Sequence, residues 1–135
     1  LQRLGLDQHI TESFTPGKML PAAAQGVIGI ECLEGQRDLI AVVRQIEDPS
    51  SVVTTAAERA VAARLNASCQ SPVASFAELH GDTLTVRALV ASEDGQTIIR
   101  ASVAGDGSNA AALGKAAAEQ LLAEGAGDLL QALDE

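Results

Sequence analysis

Aromatic residues are almost absent from this 135-residue chain, which has two Phe and neither Tyr nor Trp. A core built around large rings is therefore excluded. Hydrophobic residues still make up 47% of the sequence, and alanine supplies 25 residues, so a core can be buried. We expect close packing of small, helix-favouring side chains. The length suits one ordinary domain.

Cysteine, basic charge and long apolar runs are also scarce. Cys32 and Cys69 are too few for a secreted disulfide scaffold, which favours a soluble cytoplasmic protein. Nine Lys and Arg oppose 18 Asp and Glu, so the net charge of −9 argues against nucleic-acid and anionic-membrane partners. No apolar run has the length of a membrane span. The chain opens on Leu1 rather than Met, and we expect it to be a fragment.

Hydrophobic periodicity predicts a mixed helix and strand fold. The Asp48-Pro49 pair separates two helices, and short turns rich in Gly and Asp separate three strands. From residue 50 the order is helix, three strands, helix, which predicts an antiparallel sheet with both helices on one face. The predicted elements are a buried strand at 27–33, helices at 36–46 and 50–66, strands at 73–79, 83–92 and 97–104, a helix at 110–124 broken by Gly125 and Gly127, and a helical turn or two at 128–133.

The helix at 50–66 has one apolar stripe. Val53, Ala57, Ala60, Val61 and Leu65 form this stripe at helical spacing. We expect the charged side chains of the same helix, Glu58, Arg59 and Arg64, to lie mostly off it.

Cys69 is the candidate reactive residue because it lies in a polar loop after this helix. A thiol on an exposed loop acts as a nucleophile where its thiolate is favoured, and Arg59 or Arg64 could supply that bias. The alternative is an inert, small hydrophobic side chain. Cys32, within the predicted strand, is expected in the core, and a Cys32–Cys69 disulfide is disfavoured in a cytosolic setting. His9 and His80 stand apart from other ligand types, so zinc has no support.

Several short segments together resemble the porphobilinogen deaminase family, also called hydroxymethylbilane synthase. They occur in family order and span essentially the whole chain. They are Arg3-Leu4-Gly5-Leu6, Leu20-Pro21-Ala22, Gln25-Gly26, Gly29-Ile30-Glu31, Ala57-Glu58-Arg59-Ala60, Leu65 with Cys69 and Pro72, Asp94-Gly95, and Leu113-Gly114 before Gly125-Ala126. Each piece alone is weak, but the set is specific.

The resemblance implies a transferase of tetrapyrrole and heme biosynthesis. Such enzymes join four porphobilinogens into hydroxymethylbilane with release of ammonia, on a covalent dipyrromethane primer. The matching cysteine, Cys69, would carry that cofactor through a thioether. Arg3 would contact acidic side chains of cofactor or substrate, since a guanidinium suits carboxylates. Gln25 and Gly26 match a turn whose backbone N–H groups hold cofactor carboxylates.

The resemblance also implies a division of the chain. Residues 1–20 would end a second domain, and residues 21–48 would return to a first domain with one strand and one helix. Both domains would be of the periplasmic-binding-protein-like α/β type. Residues 49–135 would form a third, cofactor-carrying domain. The catalytic aspartate would lie in an N-terminal portion that this chain lacks, so that portion is an expected partner within a monomeric enzyme.

Two points leave alternatives open. The family often has Gly-Gly before the cysteine, where this chain has Ala67-Ser68. Glu58 and Arg59 match a family pair that we interpret first as positioning the cysteine loop and only second as ligand contacts. The competing interpretation of the whole chain is a stand-alone α/β binding or regulatory module with an inert Cys69, and a redox sensor ranks below it because no resolving cysteine is near in sequence.

Overall fold

The computed structural model describes residues 1–131. Helices α1 and α2 precede a sheet of three strands, and helices α3 and α4 follow it. The bounds are α1 Arg37–Val43, α2 Pro49–Arg64, β1 Val73–His80, β2 Thr83–Ala91, β3 Ile98–Asp106, α3 Ala110–Ala123 and α4 Ala126–Gln131, with 3₁₀ turns at Gln2–Leu4, Asp7–His9, Arg44–Ile46 and Gly107–Asn109. The predicted mixed helix and strand class is confirmed.

The sheet is an antiparallel meander in the order β1-β2-β3. Val86 in the central strand pairs with Ala77 of β1 and with Val103 of β3. Both connections are tight because Gly81 and Gly95 adopt positive φ angles of 60° and 70°, which glycine tolerates without strain. The two predicted hairpins are therefore confirmed.

One face of this sheet forms the core under helices α2 and α3. Leu84, Val86, Ala88 and Val90 alternate along β2 and are all buried, as the period of two in the sequence predicts. Val61 of α2 and Leu121 of α3 are fully buried against them. Both predicted helical stripes thus share one core with the sheet.

Gly114 allows the backbone of α3 to approach the backbone of α2 closely. A Cβ atom placed on Gly114 would lie 2.1 Å from the carbonyl oxygen of Ala57 and 2.9 Å from the Cβ of Ala60. No side chain fits there, so Gly114 permits the close contact. Small residues at this interface, Ala57 and Ala60 of α2 and Gly114 of α3, therefore bring the two helices into close contact.

The predicted helix boundary at Asp48-Pro49 is confirmed. The Asp48 carboxylate accepts the Ser51 N–H at 2.8 Å and hydrogen bonds from the Ser50 and Ser51 hydroxyls. These bonds, the Ser51 hydroxyl above all, hold the pKa of Asp48 below its ordinary value. Asp48 therefore caps α2, and Pro49 occupies the first position, where no N–H is needed.

Residues 1–48 contain no buried side chain. The predicted strand at 27–33 does not form, because no neighbouring strand in the described chain supplies its hydrogen-bond partners. The predicted helix at 36–46 forms as α1 and a 3₁₀ turn, but Val42 and Ile46 on its apolar face remain 61% and 72% exposed. Apolar residues here point outward rather than into a core.

The C-terminal boundaries differ slightly from those predicted. Strand β3 continues to Asp106, whose carboxylate then caps the following 3₁₀ turn through the Ser108 N–H. Gly125 ends α3, but Gly127 lies inside α4 rather than breaking it. The predicted turn at 128–133 begins earlier, at Ala126, and residues 132–133 lie outside the described residues. Among residues 1–131, no helix has the length and apolar character needed to cross a bilayer.

Candidate functional site

Cys69 lies on the loop that joins the end of α2 to the edge strand β1. Helix α2 ends at Arg64, and Asn66 then takes a positive φ of 51°, which turns the chain away from the helix axis. Cys69 is exposed and its thiol is free. The structure therefore places this thiol on an accessible loop, as predicted.

Two serines order the loop around the cysteine. The Ser68 N–H donates to the Ser71 hydroxyl at 2.9 Å, and the Ser71 N–H donates back to the Ser68 carbonyl at 3.1 Å. The Ser68 hydroxyl also accepts the Gln70 N–H at 3.2 Å. Cys69 is thus held at the tip of a compact, hydrogen-bonded turn. Ser68, which stands where the family often has glycine, gives this turn side-chain bonds that glycine could not make.

Of the two arginines considered as activators of Cys69, Arg64 is paired with a carboxylate and Arg59 lines a different cleft. Arg64 forms a bidentate ion pair with Glu119 of α3, with Nε–Oε1 and Nη2–Oε2 distances of 2.6 and 3.2 Å. The bond from Arg64 lowers the pKa of Glu119. Arg59 is exposed and lines a cleft on the other side of α2. No described hydrogen bond joins either arginine to Cys69, so activation of the thiol by an arginine stays a hypothesis.

A polar cleft of about 480 Å³ lies beside the cysteine loop. Its walls come from the end of α2, from the loop itself and from α4. The lining includes Arg64, Asn66, Ser68, Gln70, Leu130 and Gln131. The loop that carries Cys69 therefore borders a concave surface.

Gln25 and Gly26 form an exposed turn. The Gln25 N–H donates to the Ala22 carbonyl and the Val27 N–H to the Ala24 carbonyl, both at 3.1 Å. Gly26 has a φ of 82°, which suits glycine. This residue borders a second cleft of about 680 Å³, between the segment 26–30 and α2, whose wall also carries Arg59.

Glu58 is buried, contrary to the prediction that it lies off the apolar stripe. Only 6% of its surface is exposed. Its Oε2 atom accepts the Ala24 N–H at 2.6 Å, and its Oε1 atom accepts the Ala77 N–H at 2.8 Å. These bonds go to the turn at 24–26 and to β1. No described hydrogen bond joins the Glu58 side chain to the cysteine loop, so the positioning of that loop by the Glu58-Arg59 pair stays a prediction.

Helical spacing contained the signal for this burial. Glu58 precedes Val61 by three residues and Leu65 by seven, which places all three on one helix face. A charged residue at such a position is buried when polar partners are available. Its backbone partners, 34 and 19 residues away, could not be identified from that spacing.

No described hydrogen bond joins the other candidate residues to Cys69. Arg3 is exposed in the first 3₁₀ turn, and the described hydrogen bonds join neither it nor Gln25 or Gly26 to Cys69. Cys32 is exposed, which contradicts its predicted core position, and it forms no disulfide with Cys69. Within residues 1–131, no group of three or more His, Cys, Asp or Glu is arranged to hold a metal ion.

Together these features define a class: a small α/β domain that presents a free thiol on an ordered loop between helix and sheet. Comparison with known proteins identifies the family to which this domain belongs. Residues 52–123 match the family model described as porphobilinogen deaminase, C-terminal domain, and residues 1–41 match the model described as its dipyromethane cofactor binding domain. The chain belongs to the porphobilinogen deaminase family.

Curated bacterial relatives named porphobilinogen deaminase support this assignment. The protein of Bordetella parapertussis is 44% identical over 133 residues, which cover 98% of this chain and 42% of the relative. Those of Chromobacterium violaceum and Methylobacillus flagellatus are 43% and 42% identical, with 98% of this chain and 43% of each relative covered. The chain thus spans less than half the length of the relatives it matches.

Proposed function

We propose that this chain is the C-terminal portion of a hydroxymethylbilane synthase and that Cys69 anchors its dipyrromethane primer. The complete enzyme would condense four porphobilinogens into hydroxymethylbilane, with release of ammonia. The observation that carries the proposal is the exposed, free Cys69 on an ordered loop, within a chain of this family.

The residues present fit such a cofactor. A thiol can be alkylated by a pyrrole-bearing methylene carbon only if it is accessible, and Cys69 is exposed at the tip of its turn. When attached, the dipyrromethane would supply the primer on which further pyrrole units are added. Ser68 and Ser71 would limit the motion of the loop and so keep the sulfur in one place.

Three further residues would contact acidic groups of cofactor or substrate. Arg3 is exposed and offers a guanidinium fork to a carboxylate. The exposed turn at Gln25 and Gly26 would offer backbone N–H groups to a carboxylate, with glycine allowing close approach. The name of the model that matches residues 1–41, which refers to the dipyromethane cofactor, supports this role.

We further propose the domain division 1–20, 21–48 and 49–135, with the catalytic aspartate in the N-terminal portion of the longer enzyme. The two matched family models, at 1–41 and 52–123, support a division near residue 48. Outward-facing apolar residues such as Ile28, which is 86% exposed, fit a surface that the N-terminal portion covers. A stand-alone module would leave that surface in water. The complete enzyme would act as a cytoplasmic monomer.

The test uses the longer protein that contains this chain, purified from a heme-making cell. We expect intact mass and peptide mapping to find an increase of two porphobilinogen-derived units on Cys69, and a pyrrole-detecting aldehyde reagent to colour the protein. Cys69→Ser should remove the adduct, the colour and the activity.

Cys32 supplies a matched control because it is also an exposed, free thiol. Cys32→Ser should keep the adduct and the activity. An unmodified Cys69 in active wild-type protein, or an adduct that survives Cys69→Ser, would overturn the proposal.

A further inference from the structure

Glu58 is a buried carboxylate for which the proposed chemistry has no use. It lies between the fully buried Ala57 and the exposed Arg59, and it points into the protein. Charged side chains are rarely buried unless they are bonded to partners. Here the partners described are two backbone N–H groups, one from Ala24 and one from Ala77, which belong to segments far apart in the chain.

The edge of the sheet explains one of the two bonds. Strand β1 is an edge strand, so alternate N–H groups along it have no strand partner. The Ser75 N–H on this edge donates to the carbonyl of Pro21 at 3.1 Å. Two residues further along, the Ala77 N–H donates to Oε1 of the Glu58 side chain rather than to a backbone carbonyl. Glu58 thus supplies the acceptor that an additional strand would have provided.

The other bond holds a strained turn. Ala24 has a φ of 58°, a left-handed conformation that is unfavourable for a residue with a Cβ atom. The short bond of 2.6 Å from its N–H to Oε2 of Glu58 stabilises that conformation, since bonds to a charged acceptor are stronger than neutral ones. The turn is therefore attached to α2 and β1 through one side chain.

We propose that Glu58 is a positioning residue, which holds the turn at 24–26 so that the backbone of Gln25 and Gly26 faces the carboxylates of the cofactor. This inference rests on the proposed function for the role of that turn. The two hydrogen bonds of Glu58 do not depend on the proposed function. Glu58 would touch neither cofactor nor substrate, and would act only through the turn.

The first test replaces the carboxylate in the complete protein by an amide of the same size. Glu58→Gln keeps one carbonyl oxygen but turns an N–H₂ group towards one of the two N–H donors. We expect hydrogen exchange to become roughly tenfold faster or more at the Ala24 or the Ala77 amide, whichever faces the new N–H₂ group, the factor that corresponds to losing one hydrogen bond to a charged group. Glu119→Gln, a matched loss of one exposed carboxylate on α3, should leave both exchange rates unchanged.

The second test separates positioning from general stability. Glu58→Gln should lower the fraction of Cys69 that carries the cofactor, measured by intact mass. Adding Ala24→Gly, which removes the left-handed strain, should restore that fraction in the Glu58→Gln background. A role limited to packing α2 would not be rescued by glycine at position 24, so failure of the rescue would overturn the proposal.

The outcomes distinguish this inference from the proposed function. If wild-type Cys69 carries no adduct, the proposed function fails, and the role of Glu58 in presenting cofactor contacts fails with it. If the adduct is present and exchange at both Ala24 and Ala77 is the same in wild type and Glu58→Gln, only the positioning role is wrong. Thermal unfolding of each variant shows whether it is folded when these quantities are measured.

Discussion

Residues 49–131 and residues 1–48 of this chain differ in whether their apolar side chains are shielded from water. The first region buries Leu84, Val86 and Leu121 completely between one sheet face and two helices. The second region contains no buried residue, and Ile28 and Leu33 are 86% and 73% exposed. Both regions are rich in apolar residues, so composition does not separate them. The difference shows that only the first region provides its own core.

The largest expected change in stability comes from comparing the same substitution, leucine to alanine, in the two regions. Leu84→Ala should lower the free energy of unfolding of the chain by about 2–5 kcal/mol, because it removes fully buried methyl groups and leaves a cavity. Leu33→Ala should change it by no more than about 0.5 kcal/mol, because its side chain is already in water. Urea unfolding followed by circular dichroism measures both.

Equal losses in the two variants would show that residue 33 contributes to the same core, and would remove the contrast between the regions. A small loss for both would show that Leu84 is not the centre of the packed region.

A smaller effect is expected at the interface of α2 and α3. Gly114→Ala should destabilise the chain by about 1–3 kcal/mol, because the new Cβ would meet the backbone of Ala57 and the helices must move apart. Gly127→Ala is the matched control, since a Cβ there meets only Leu122 at 3.8 Å. It should stabilise the chain by up to about 1 kcal/mol, the usual advantage of alanine over glycine within a helix.

Urea unfolding again gives the measurement. If Gly114→Ala is neutral, helices α2 and α3 pack less closely than the structure has them.

The smallest expected effect is the response of the packed region to acid. Hydrogen bonds from Ser51 lower the pKa of Asp48, and a bond from Arg64 lowers that of Glu119. A carboxyl whose pKa is lower in the folded state adds stability above its unfolded pKa, and that stability is lost as the pH falls through the folded pKa. We therefore expect stability to decline below about pH 4, where carboxyl groups ordinarily titrate.

Asp48→Asn should reduce the slope of this decline, because the amide still caps α2 but does not titrate. Glu47→Gln removes the same charge from the neighbouring residue, which takes no part in the described cap of α2, and should leave the slope closer to that of the wild type. Unfolding measured at several pH values between 5 and 2 compares them. If stability declines with pH equally steeply in Asp48→Asn and in wild type, the lowered pKa of Asp48 does not arise from its capping bonds.

The sequence predicts most of the packed region because its determinants are local. Alternation along β2, the tight turns at Gly81 and Gly95, and the cap at Asp48 each involve residues close together in the chain. These signals place the three strands and helices α2 and α3 to within a few residues. They also place Cys69 on an exposed loop, since polar residues and Pro72 follow the end of α2.

The incorrect predictions involve partners that are distant in the chain. Residues 27–33 have the composition of a buried strand, but a strand forms only where another supplies hydrogen bonds. Cys32, predicted in the core with them, is exposed for the same reason. Glu58 was expected to lie mostly off the apolar stripe of α2, whereas it is buried and bonded to the N–H groups of Ala24 and Ala77.

The sequence alone determined the class of the packed region, its element order, the cysteine loop and the family resemblance. Each follows from local patterns of hydrophobicity, turns and caps, or from short motifs. Only the tertiary structure decided that Glu58 joins the turn at 24–26 to β1, that Arg64 pairs with Glu119, and that residues 1–48 bury no side chain completely. The physical reason is that burial and hydrogen bonding depend on which segments meet, and no local pattern encodes a partner tens of residues away.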